Sequence, residues 1–310
     1  MENLLHISVS PHIHGNKSTR GFMLDVILAL IPAAIAGTII FGAGALLVIA
    51  LCVGTCVVSE FLFNLILKRN QTIGDLSAVV TGLILALNLP ANVPLWQAIV
   101  GSVFAIIIVK CFFGGLGCNV VNPAITARVF MLIAFGSMAA PAFPKKALDV
   151  VAGATPLVQL SEGTVPALKD LFLGTIGGAI GETCSLALLI GGAYLLIRKV
   201  ISWHIPVSFI ATVFIFSLFV EGFDFTAALA WVLSGGLIIG AFFMATDYVT
   251  SPTTPLGSII FGVGAGLITA LIRFWGGYPE GVSFAILLMN ILNPFINKLT
   301  ARKVFGGSDK

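Results

Sequence analysis

Apolar stretches of about 20 residues recur along the whole of this chain, separated by short polar breaks. A helix of that length spans the hydrocarbon core of a bilayer. In lipid, every backbone N–H and C=O must be satisfied within the protein, which restricts the fold more than any single motif does. The expected class is therefore all-α, a polytopic transmembrane helical protein. Composition agrees: 9% of the 310 residues are charged, against about 25% in soluble domains, and mean hydropathy is +1.09. The 34 Gly and 14 Pro suit helices whose neighbours satisfy freed backbone groups.

The first 20 residues are polar, with His6, His12, His14, Lys17 and Arg20 and no apolar core before them. No cleavable signal peptide is expected, and the first span serves as the insertion signal. A net charge of +3 argues against a nucleic-acid partner. Five Cys, at 52, 56, 111, 118 and 184, are scattered over apolar segments. An odd, scattered set is no disulfide framework; small apolar packing is the first reading and metal binding the second.

About ten spans are expected, near 22–42, 44–67, 76–90, 95–113, 122–139, 173–197, 205–220, 226–245, 257–275 and 281–297, some of them half-spans or re-entrant. Short cytoplasmic loops collect Lys and Arg. With the N-terminus inside, twelve positive residues fall inside or at that boundary, among them Lys68, Lys110, Arg128 and Arg198. Four fall outside: Lys145, Lys146, Lys169 and Arg273. Both termini are thus expected in the cytoplasm, with 140–170 extracytoplasmic.

A weak internal repeat is also visible. Thr81-Gly82, Leu95, Gly101, Lys110, Gly114-Gly115 and Asn122-Pro123 can be laid over Gly240 to Asp247, Leu256, Gly262, Arg273, Gly276-Gly277 and Asn293-Pro294. Chance recurrence of Gly and Pro is the other explanation. A true repeat of five spans inverts the second copy, giving a five-plus-five inverted repeat that places a site near the interface. The expected division of this single membrane domain is 1–139, the loop 140–170, and 171–310.

That loop holds a polar island, Lys145 to Pro156, with Asp149 six residues before Thr155 and the small residues Ala152, Gly153 and Ala154 between them. Pro156 is expected to keep the segment out of a helix. Spacing alone leaves open an ordinary loop with a chance Gly-Ala-Thr.

Further motifs extend over nearly the full length. They are Ser10-Pro11-His12-Ile13 with Ser18-Thr19-Arg20 and Met23-Leu24-Asp25-Val26; Gly114 to Asn119 with Asn122-Pro123-Ala124 and Ala127-Arg128; Gly178 to Thr183; Ser202 to Pro206; Ala245-Thr246-Asp247; Ser251 to Pro255; and Gly276 to Gly281. In this order and spacing the chain resembles the RnfD/NqrB family. Its members are the D subunit of the Rnf complex, a membrane-bound ferredoxin:NAD+ oxidoreductase, and the B subunit of the sodium-pumping NADH:quinone oxidoreductase. The resemblance implies flavin mononucleotide (FMN) esterified through its phosphate to Thr155, within a motif carried by Asp149, Gly153 and Ala154. The family's Ser/Thr at position 152 is here Ala152. Attachment needs a flavin transferase, so the acceptor must be reachable, and Lys145 and Lys146 would offset phosphodiester charge.

The resemblance also implies a second, non-covalent flavin, riboflavin. Its candidate neighbours are Asn119, Asn122, Phe112, Phe113, Trp275 and Tyr278, each of which also serves as an ordinary packing residue. The implied partners are the A, B, C, E and G subunits of the Rnf complex, the flavin transferase and membrane lipid. The implied role is electron transfer across a prokaryotic plasma membrane coupled to export of Na+ or H+. The chain carries no convincing Rossmann fingerprint, so nicotinamide and ferredoxin sites are expected on partners. The quinone-reductase subunit generally has a longer N-terminal extension. A urea-transporter-like small-solute channel suits five plus five spans but has no use for a flavin-bearing loop.

Carboxylates within spans are costly and tend to be functional. Asp25, Glu60 and Asp75 occupy the first three spans, and Asp75 also suits helix capping. Glu182, in a Gly-rich turn of the sixth span, and Asp247, near the cytoplasmic end of the eighth, are the ion-pathway candidates. An interfacial or paired role is the alternative for each.

Overall fold

The structure is a computed structural model that describes residues 18–136, 142–144, 155–276 and 280–301. Among the described residues the regular elements are helical, and the only strand-like pairing is an isolated bridge between Ala142 and Gly178. The first half holds α1 (Thr19–Phe41), α2 (Ala43–Ile66), α3 (Ser77–Leu87), α4 (Leu95–Val103) and α5 (Pro123–Ala134). α4 runs on as a π-helix, Phe104–Cys111. Two short helices follow, α6 (Pro156–Ser161) and α7 (Leu168–Leu173). The second half holds α8 (Ser185–Ile197), α9 (His204–Val220), α10 (Phe225–Leu233), α11 (Leu237–Ile239) continuing as a π-helix over Gly240–Met244, α12 (Pro255–Trp275) and α13 (Val282–Thr300).

Local chemistry sets the starts. Ser18 caps α1 by accepting from the Gly21 N–H at 3.2 Å. Asn122 caps α5 with Pro123 in its first turn, and Thr254 caps α12 with Pro255 likewise. Pro lacks an N–H where none is needed, and the capping oxygen satisfies an orphan donor. Asn293-Pro294, laid over Asn122-Pro123 in the sequence, lies inside α13 instead. The two pairs are not equivalent.

Helix lengths differ from the ten expected spans. α1, α2, α12 and α13 are long and apolar enough to cross a membrane, and α10 with α11 and its π-turns makes a fifth candidate bent by 64°. The other apolar segments, including α3 and α8, are 10–17 residues long. The sixth begins at Ser185, because the Gly-rich residues 174–184 stay irregular. Glu182 therefore precedes a helix rather than lying within one. Pro156, expected to keep its segment non-helical, opens α6 as its first residue.

Packing runs continuously through both halves. α2 packs on α3 and α4, α9 packs on α10 and α12, and α1 meets α8 across the halves. Small residues permit the close approach: a Cβ on Gly191 would collide with the Ala29 carbonyl, and one on Gly82 would lie 2.8 Å from the Val53 Cα. Membrane helices associate through such small-residue contacts. Leu30, Leu85, Leu87, Ile125, Ile180, Phe209 and Phe261 fill the shared core. Ile39, Ile66, Ile197 and Leu299 point outward, more than 70% exposed, as a lipid-facing surface requires.

Candidate functional site

The break between α10 and α11 organises one end of the molecule. Gly235 and Gly236 both take left-handed φ, +65° and +68°, a conformation that favours glycine. Onto this break folds the segment that begins at Thr155. Leu157 and Leu160 of α6 and Leu171 of α7 pack with Ala230, Trp231 and Leu233 in a separate apolar cluster. A Cβ at Gly235 would collide with Leu157. Thr155 is half-buried and caps α6, its Oγ1 accepting from the Val158 N–H at 3.4 Å. Asp149, Gly153, Ala154, Lys145 and Lys146 lie outside the described residues.

Four charged side chains gather behind the break. Arg273, from the end of α12, donates from Nη1 to the Trp231 carbonyl at 2.6 Å. Its Nη2 donates to those of Ser234 and Gly235 at 2.9 and 3.1 Å, and its Nε to that of Glu280 at 3.2 Å. Arg128 of α5 donates to Asn88 Oδ1 at 2.6 Å and pairs with Glu280. Glu182 Oε1 accepts from the Ala179 N–H at 2.8 Å, while its buried Oε2 has no protein partner among the described residues. A Cβ on Gly236 would lie 3.2 Å from that Oε2 and 3.9 Å from Arg128 Nη1. The structure thus brings Leu157, two residues after Thr155, and Glu182 to the two glycines of one helix break.

Asp247 lies elsewhere, beyond the π-helix that follows α11. Its Oδ2 accepts from Thr250 Oγ1 at 3.1 Å. It lines a cavity between the halves with Ser77, Lys110, Asn119, Asn122, Phe242 and Tyr248. Of the residues considered for a second flavin, Asn119 and Asn122 are buried beside this cavity. Phe112, Phe113 and Trp275 are exposed away from it, and Tyr278 lies outside the described residues.

Reading residue by residue missed the partners of the buried charges. Lys110 Nζ pairs with Glu60 Oε2 at 2.9 Å and donates to Ser77 Oγ at 2.6 Å, while Glu60 Oε1 accepts from Thr72 Oγ1 at 2.6 Å. Asp25 accepts from Tyr194 Oη at 2.9 Å and pairs with Arg198 at 3.4 Å. Asp75 Oδ1 accepts from the N–H and hydroxyl of Ser77. Lys110, Arg128 and Arg273 are all buried, so they are not loop charges as the orientation count took them to be. Removing them changes twelve against four to ten against three, and the bias survives. The available signal was that all three sit inside apolar runs.

Comparison with known proteins gives this geometry a context. The NQR2, RnfD, RnfE family model matches residues 6–306. The chain is 48% identical over 308 residues to the D subunit of the Na(+)-translocating ferredoxin:NAD(+) oxidoreductase complex of Acetobacterium woodii, covering 97% of this chain and 95% of that protein. It is 42% identical over 322 aligned positions to the D subunit of the proton-translocating ferredoxin:NAD(+) oxidoreductase complex of Clostridium ljungdahlii, covering 98% and 97%. It is 36% identical over 345 aligned positions to the D subunit of an ion-translocating oxidoreductase complex of Yersinia enterocolitica, covering 97% and 98%.

Proposed function

The chain belongs to the NQR2, RnfD, RnfE family, and from that premise we propose that it is the flavin-carrying membrane subunit of an ion-translocating ferredoxin:NAD+ oxidoreductase complex. It is a multi-pass membrane protein and acts within the complex rather than as an enzyme alone. Full-length similarity to two proteins named as the D subunits of such complexes favours this reading over the quinone-reductase subunit and over a solute channel. The A, B, C, E and G subunits, a flavin transferase and lipid are its partners, and Na+ or H+ is the exported ion.

The observation that carries the flavin reading is the position of Thr155. Its hydroxyl stands at the first turn of a short helix, part-exposed, on a segment seated against a rigid break. That fits a residue that a transferase must reach and the subunit must then hold in place. Within the described residues the hydroxyl is tied by a long bond from the Val158 N–H, which esterification at Oγ1 need not break. We assign the second flavin to the inter-half cavity, where Asn119, Asn122, Ser77 and Lys110 offer polar contacts beside Phe242, Phe243 and Val80, the mixture that cofactor pockets show; its space of about 80 Å³ must widen to admit the ring system. When bound, flavins accept and pass electrons one at a time, and the protein supplies position and potential. Glu182 and Asp247 are the residues we assign to the ion pathway, one at the helix break and one at the cavity.

Our orientation rests on the charge bias of the sequence. Asp25 meets Arg198, and Thr254 meets Thr300 at 2.7 Å, at the end we assign to the cytoplasm. The opposite end, with α6, α7 and the break, is then extracytoplasmic. The recurrence of one pattern, α2 on α3 and α4 and then α9 on α10 and α12, supports the five-plus-five repeat.

The deciding experiment co-expresses the chain with a flavin transferase and analyses the peptide containing Thr155 by mass spectrometry. The peptide carries FMN in the wild type and none in Thr155→Val. An unmodified wild-type peptide overturns the reading.

A further inference from the structure

Breaking a helix inside a membrane protein exposes two sets of backbone groups. The first half ends in free carbonyls and the second begins with free N–H groups. These ends carry partial negative and partial positive charge. In broken membrane helices the carbonyl end is a natural seat for a cation. At the α10–α11 break, both ends face side chains of this chain. Arg273 is 6% exposed and spends Nη1 and Nη2 on the Trp231, Ser234 and Gly235 carbonyls. Among the described residues no carboxylate oxygen lies within salt-bridge distance of it. Four backbone carbonyls accept from this charge, as carbonyls do around a bare ion in a selectivity filter, while the Glu280 and Glu182 carboxylates act on it from further away. Across the break the Glu182 carboxylate sits against Gly236 with one oxygen unpartnered.

We propose that Arg273 is a tethered cation filling the ion seat of the broken helix, and that it seals the subunit against small cations at this point. Take the guanidinium away and three backbone oxygens converge on the vacated space, with the Glu182 and Glu280 carboxylates nearby. That donor set is all oxygen and net negative, the chemistry that holds a monovalent alkali cation. The break also separates two regions of this chain: α6, which packs on α10, and the Asp247 cavity beyond the π-helix that follows α11. The intervening eight residues, Leu237–Met244, cover about 10–12 Å, the five π-helical ones rising less than the 1.5 Å per residue of an α-helix. A cation passing between those regions along α11 meets the fixed charge of Arg273 first.

The test needs no redox chemistry, so its outcome does not depend on the flavin reading. The intact complex, wild type or carrying Arg273→Ala or Arg273→Lys, is reconstituted into liposomes, and passive 22Na+ entry is followed without electron donor. Arg273→Ala is expected to leak at least tenfold faster than wild type, and millimolar guanidinium, which refills the seat, is expected to restore tightness. Arg273→Lys, which returns the charge without the fork, is expected to fall between. Wild-type tightness in Arg273→Ala overturns the proposal. So does a leak that guanidinium leaves unchanged, which marks general loosening. Failure of both variants to assemble overturns it too, because the arginine is then a scaffold rather than a seal.

Discussion

Lys110 and Glu60 form an ion pair with side chains 3% and 2% exposed. Taking one partner from such a pair leaves a bare charge in an apolar interior, at a cost of about 3–5 kcal/mol, whereas replacing both with apolar residues is often neutral. Glu60→Met and Lys110→Met should each lower the thermal midpoint of the purified complex sharply, and the double substitution should recover most of the loss. A double variant as unstable as either single one would refute the pairing. The sequence displayed both residues but not their union, because they lie 50 positions apart and only the packing of α2 against α4 joins them. The motif that singles out Thr155 is, by contrast, local, so it can be read in the sequence without the fold. If Glu182 and Asp247 serve the ion pathway as we propose, Glu182→Gln and Asp247→Asn should spare assembly and the proposed flavin attachment while ion transport falls. Wild-type transport rates in both would make the carboxylates structural.

Among the elements, hydrophobicity located the helical regions but not their ends. The sixth span is expected from 173, yet no helix forms through Thr175 to Thr183, where three glycines and Glu182 interrupt the apolar run. The two π-helical stretches are silent in composition, since one extra residue per turn leaves no trace in the pattern. Close approach is easier to test. Gly191 abuts the Ala29 carbonyl, so Gly191→Leu must push α8 away from α1. Overpacking of this kind costs about 1–3 kcal/mol. The variant should show a lowered thermal midpoint and more rapid proteolysis at the Arg198–Lys199 turn, and an unchanged midpoint would contradict the packing.

For the whole molecule, the five-plus-five reading and the charge bias agree on a topology that labelling can check. In a Cys-free background, Lys169→Cys on α7, which is exposed, should react with an impermeant maleimide in intact cells. Lys68→Cys, exposed at the other end, should react only after lysis. The reverse pattern would invert the protein. The Glu60–Lys110 pair carries a consequence for biogenesis as well. A ribosome adds about 5–20 residues per second, so the 50 residues between the two take about 3–10 s to make. Throughout that interval α2 exists with its carboxylate and without the ammonium that belongs to it. The second helix must therefore wait at the translocon, or take up a proton there, until the fourth arrives to release it into lipid.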